Sequence, residues 1–204
     1  MKNRLRIAKL VAVALAGGFF SLGTALGSST AFKGDIFNPG QLKPQDSRLK
    51  VKAGDLAPDF ELTAIDGSRI KLSDYRGRKN VVISFIPAAW TPVCSDQWPG
   101  YNLAKPIFEA HNAMLLGISV DNRATQYSWT RQMGDLWFPV LSDFWPHGAV
   151  ADKFGVLRSD GMAERALIFI DMKGVITHIY VSDINKRPPL ELIDEQLSRI
   201  TGNK

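Results

Sequence analysis

Cysteine is what this sequence has least of: 204 residues contain one, Cys94. A lone thiol excludes an internal disulfide, and with it both a disulfide-stapled scaffold and a Cys-x-x-Cys redox pair. Histidine is nearly as scarce. His111, His147 and His178 are scattered without the spacing of metal ligands, so no metal site is expected. No Gly-rich phosphate loop, Ser-His-Asp order or His-Glu-x-x-His run occurs, which removes the usual sequence signs of nucleotide, serine-hydrolase and zinc-hydrolase chemistry. No cofactor is expected. Internal repeats and low-complexity tracts are missing as well.

A charge excess of one sign is also missing from most of the chain. The formal charge is +5, but Lys2, Arg4, Arg6 and Lys9 crowd the start, and the other basic residues nearly balance the 20 acidic ones. A nucleic-acid partner is therefore not expected. Leu10 to Gly27 carries no charge at all. A cationic start followed by an apolar run is the layout of a secretory signal. Residues 1–31 are expected to be a signal peptide cleaved after Ala31, with Ala25-Leu26-Gly27 as a second site, or else an uncleaved anchor. The apolar run is just long enough to cross a bilayer. Either way the domain is expected to work outside the cytoplasm, periplasmic or extracytoplasmic. Membrane contact is expected only if the segment stays attached.

With 45% hydrophobic and 22% charged residues, the rest is a globular chain large enough for one ordinary core. Residues 32–50 are polar, contain Gly34, Pro39, Gly40 and Pro44, show no periodicity, and read as a flexible linker. Residues 51–204 form the domain. Phe60 to Thr63 and Ile70 to Leu72 alternate around Asp66-Gly67, predicting a β-hairpin, and Ser73-Asp74-Tyr75 a short helical turn. Val81 to Ile86 and Ala113 to Val120 are continuous apolar runs, as strands buried on both faces are. Between them Gln97 to Asn112 has helical spacing, with Pro99 and Pro106 expected to bend it. Helices are predicted over 124–133, 150–154 and 190–200, and strands over 138–141, 166–170 and 175–181. The order, a hairpin, then βαβα, then ββα, predicts an α/β fold with a mixed sheet and helices on both faces.

Cys94 falls where the first buried strand ends and a helix begins. Unpaired backbone N–H groups and the helix dipole there favour an anion, here a thiolate. The C-terminal edge of such a sheet is also where ligands usually bind. Pro87 and Pro92 stiffen the approach loop, and Thr91 can offer a hydroxyl to whatever the sulfur attacks. Asp96 opposes the thiolate. It is expected to turn to solvent and leave a cationic group to tip the balance.

The spacing Pro87-x-x-x-Thr91-x-x-Cys94 resembles the active-site motif of the peroxiredoxins. The likeness runs from about Val51 to Leu197. Ala53-Gly54-Asp55-x-Ala57-Pro58-Asp59-Phe60 is similar to the family's opening, and Gly161-x-Ala163-x-Arg165-Ala166 to the strand that carries its active-site arginine. Phe138-Pro139-Val140-Leu141-Ser142-Asp143 and the residues to Gly148 resemble the alkyl hydroperoxide reductase E branch, whose members act with one cysteine. Gln97 stands where many relatives carry glutamate. The resemblance implies a thioredoxin-like fold, usually a homodimer. It implies Pro87, Thr91, Cys94 and Arg165 around a hydroperoxide, and an external thiol or thioredoxin-like reductant to complete the cycle. Trp90, Val93 and Gln97 are candidates for substrate contact. The alternatives are a thiol–disulfide oxidoreductase of the same fold, in which Thr91 would replace the first cysteine of Cys-x-x-Cys, and a binding module with an inert thiol.

Overall fold

The computed structural model describes residues 36–202; the leader read in residues 1–31 lies outside them. Among the described residues seven strands form one mixed sheet. The hairpin pairs β1 (Glu61–Ala64) with β2 (Arg69–Lys71), Leu62 opposite Ile70, and a 3-10 turn follows at Leu72–Tyr75. β3 (Asn80–Phe85), β4 (Ala113–Ser119), β5 (Val140–Ser142), β6 (Ala166–Ile170) and β7 (Ile176–Val181) complete the spatial order β2-β1-β5-β4-β3-β6-β7. β3 runs parallel to β4 and antiparallel to β6. Flanked on both edges, all six of its residues are buried, as its unbroken apolar run predicts.

Side chains leave β3 alternately to two cores. Val81, Ile83 and Phe85 pack with Phe60 of the hairpin and Phe154 of α4 (Ala149–Phe154). Val82 and Ile86 pack with Trp98, Trp129 and Ile193 from α1 (Pro92–Leu103), α3 (Arg123–Thr130) and α5 (Leu190–Gly202). Ser84 is the polar member of this second series, and two side chains of α1 lean on it. Trp98 fits there because Gly117 of β4 has no side chain: a Cβ at that position would sit 2.8 Å from the indole.

Two expectations change. The helix after β3 starts at Pro92, not near Gln97, and it runs through Pro99 without breaking. Its end comes at Ala104, and Pro106 opens the short α2 (Lys105–Ala110), where a missing N–H removes no helical bond. The stretch 36–50, expected as a flexible tether, contains no helix or strand yet lies bound against the domain. Asn185 holds Leu42 at both its N–H (3.0 Å) and its carbonyl (2.8 Å). The N–H groups of Asp46 and Ser47 donate to the Glu164 carboxylate at 2.5 and 2.9 Å. Lys50 N–H donates to Phe154 C=O, across Gly155 at φ +72, where a Cβ would collide with residues 48–50. Polar composition hid these bonds because their partners lie more than a hundred residues away.

Candidate active site

Cys94 occupies the third position of α1, after the N-cap Thr91, and none of its surface is exposed. Pro92, first in the helix, has no N–H, so Val93 and Cys94 supply the first free backbone donors of that terminus. Ser95 N–H already bonds the Thr91 carbonyl at 2.9 Å. The loop before the helix is held from below: Asp121 accepts from Ala89 N–H at 2.8 Å and from Ser119 Oγ at 2.7 Å. Trp90 adopts φ 59, uncommon for a bulky residue, which swings the chain from the end of β3 into α1.

The cation the thiol needs is Arg165. It is 2% exposed and stands one residue before β6, beside the end of β3. Its Nη1 and Nη2 each reach Cys94 Sγ at 3.5 Å. Two further bonds fix the guanidinium. Nε donates to Ile184 C=O at 3.0 Å, and Nη1 donates to Gln97 Oε1 at 2.6 Å. Gln97 in turn donates to Ser84 Oγ at 3.2 Å, which Trp98 Nε1 also approaches at 3.3 Å. Nearby, burial pushes the Tyr101 phenol well above its ordinary value even though the Arg165 charge opposes the shift. Arg165 is itself almost wholly buried, so its field is weakly screened. Asp96 does turn outward, to an ion pair with Arg187 at 2.9 Å.

A cavity of about 440 Å³ opens in front of this group. Pro87, Thr91, Val93 and Arg165 line it, with the buried sulfur behind them. Two expected substrate contacts do not. Gln97 is fully buried at the back of Arg165, where its amide oxygen is spent on the guanidinium. Trp90 is turned out of the lining by its left-handed backbone, and its carbonyl accepts from Phe37 N–H at 2.9 Å. Thr91 is placed as expected but oriented otherwise: its hydroxyl donates to Ala88 C=O at 2.9 Å. His147 stays outside the cavity with Nε2 2.7 Å from Gly161 C=O. Sequence reasoning missed Ser84, the Ile184 carbonyl and Asn185, and it missed that Phe37 to Leu42 form part of the cavity wall. Nothing in the pattern of those residues marks them; only their position does.

Residues 53–179 match the model of the AhpC/TSA family. Alkyl hydroperoxide reductase E of Mycobacterium tuberculosis is 39% identical over 127 residues, covering 62% of this chain and 82% of that protein. Peroxiredoxin-2 of Mus musculus is 38% identical over 157 residues, 72% of this chain and 76% of that one. In structure the chain is similar to the reduced 2-Cys peroxiredoxin of Plasmodium vivax, with a TM-score of 0.69 and 27% identity over 74% of this chain and 82% of its counterpart.

Proposed function

Since the chain belongs to the AhpC/TSA family, and is a thiol peroxidase of thioredoxin-like fold, we propose that Cys94 is its peroxidatic residue and that Pro87, Thr91 and Arg165 form the site around it. One observation carries this reading: a buried guanidinium, anchored by two further hydrogen bonds, meets the only thiol with both of its terminal nitrogens. A cation held at that distance in a buried site stabilises the thiolate and the charge that moves off it.

The reaction runs as a displacement. The Cys94 thiolate attacks the distal peroxide oxygen, an S–O bond forms, and the O–O bond breaks. The electron pair leaves on the proximal oxygen, which takes a proton and departs as alcohol or water. Sulfur is oxidised by two electrons to the sulfenic acid. Arg165 and the N–H of Cys94 face the developing negative charge. Thr91, its own proton committed to Ala88, presents lone pairs and accepts from the peroxide O–H. Val93, in the cavity wall, supplies apolar contact, whereas Gln97 acts through Arg165. No second cysteine exists among the 204 residues. The sulfenic acid therefore passes to an external thiol, which forms a mixed disulfide with release of water.

Rapid-mixing kinetics test this. Micromolar hydroperoxide should convert Cys94 to a sulfenic acid far faster than it oxidises free cysteine, and Cys94→Ser should abolish turnover. Oxidation no faster than that of free cysteine would sink the assignment. Trapping the mixed disulfide identifies the reductant. We also infer a homodimer built on the exposed Phe144 and Trp145, the latter 82% exposed; Trp145→Lys should shift sedimentation to the monomer. Export is inferred from residues 1–31 and predicts a protein protected from external protease until the outer envelope is opened.

A further inference from the structure

The cavity in front of Cys94 is larger than its smallest substrate needs. A water molecule takes about 30 Å³ of the liquid. Hydrogen peroxide, one oxygen larger, would fill a small part of 440 Å³. The extra room has a specific origin. Phe37 to Leu42 line the cavity together with Thr91, Val93 and Arg165. This strap lies outside residues 53–179, the part that matches the family model.

The strap is fastened to the same backbone that holds the catalytic cation. Ile184 N–H donates to Pro44 C=O at 3.0 Å, while the carbonyl of that residue accepts from Arg165 Nε at 3.0 Å. Next to it, Asn185 clamps Leu42 by two bonds. Further along, Asp46 and Ser47 are tied to Glu164, the residue before Arg165. At the near end Phe37 N–H is bonded to Trp90 C=O. The wall is thus set in register with the reacting atoms before any substrate arrives, so binding against it orders little that was loose. What it presents is mostly apolar: Phe37 and Leu42 face a cavity also lined by Pro92, Val93, Met162 and Ile184. Phe37 is 68% exposed, so an uncovered aromatic surface waits at the entrance.

We propose that Phe37–Leu42 is a substrate-selecting wall, which takes the organic part of an alkyl or aryl hydroperoxide while its terminal O–OH reaches Cys94. The inference rests on Cys94 being the peroxidatic residue. Burying a few methylene or ring carbons against this lining favours the organic substrate over hydrogen peroxide, which gains nothing from it.

The test compares rate constants for Cys94 oxidation by cumene hydroperoxide and by hydrogen peroxide in the full chain and two variants. Leu42→Asp sets a charge in the wall. Phe37→Ser changes a surface residue whose loss leaves the core intact. The ratio of the organic to the inorganic rate constant should fall about ten-fold in the first and about three-fold in the second. A ratio unchanged in both variants, with native rates far above those of free cysteine, would overturn the wall alone. A parallel fall for both peroxides would overturn it too, since the strap would then merely support the site. Native rates equal to those of free cysteine would overturn the assignment of Cys94 and this inference together.

Discussion

Replacing Arg165 by alanine separates what the guanidinium does for catalysis from what it does for folding. Both terminal nitrogens face Sγ at 3.5 Å. Hydrogen bonds to a charged partner contribute roughly 1.5–3 kcal/mol, and about 1.36 kcal/mol is a factor of ten in rate. Arg165→Ala should therefore slow the oxidation of Cys94 by about one to two decades. The same change strips the buried Gln97 Oε1 and Ile184 C=O of their donor, worth about 1–3 kcal/mol of stability. Rates must accordingly be read under conditions where denaturant titration shows the variant folded. Arg165→Lys keeps the charge but cannot span sulfur, Gln97 and Ile184 together, so it should recover stability poorly and rate in part. Stopped-flow tryptophan fluorescence is suited to the measurement because Trp98 and Trp129 share a cluster with Cys94. An unchanged rate constant in folded Arg165→Ala would refute the role given to the cation.

Three other perturbations report on the frame. Gly117→Ala would press a methyl group to 2.8 Å from Trp98 and 3.2 Å from Phe138; it should lower stability by about 1–3 kcal/mol in urea titration and alter the Trp98 emission. Arg158→Ala would leave the fully buried Glu164 carboxylate without its partner at 2.9 Å, a loss of about 3–5 kcal/mol, and hydrogen exchange at Asp46 and Ser47 should quicken with it. Asp46 titrates well below its ordinary 3.8, chiefly through bonds from Lys43 and Ser159. The folded form binds that proton less readily than the unfolded one. The strap's stabilisation by Asp46 is therefore complete above 3.8 and is lost as the pH falls below it, which limited proteolysis within 40–50 should register.

Much of the framework is legible in the sequence because its signals are local. The unbroken apolar run of β3, the Asp66-Gly67 hairpin and the proline–threonine–cysteine spacing each carry their meaning within a dozen residues. The onset of α1 is less legible because its first turn, Pro92 to Asp96, has no apolar stripe, and Pro99 reads as a breaker although the flanking packing of Trp98 and Tyr101 keeps the helix whole. Least legible is the strap. Leu42 meets Asn185 and Asp46 meets Glu164 through backbone-to-side-chain hydrogen bonds, which leave no periodic trace in a polar stretch. The motif marks Gln97 as a site residue but not as a brace: that distinction depends on the Arg165 side chain lying against it, which only the fold supplies.

The complete burial of Cys94 sorts its two reaction partners by size. A peroxide finds a ready-made cavity beside the thiol and needs only a small shift of its lining to reach the sulfur, whereas a protein thiol large enough to serve as reductant needs the walls themselves to move apart. Oxidation and repair thus answer to different clocks: the first scales with how often a small molecule arrives, the second with how often the walls part. Raising reductant should speed turnover only until that parting becomes the slow event, and beyond it the protein itself sets the ceiling.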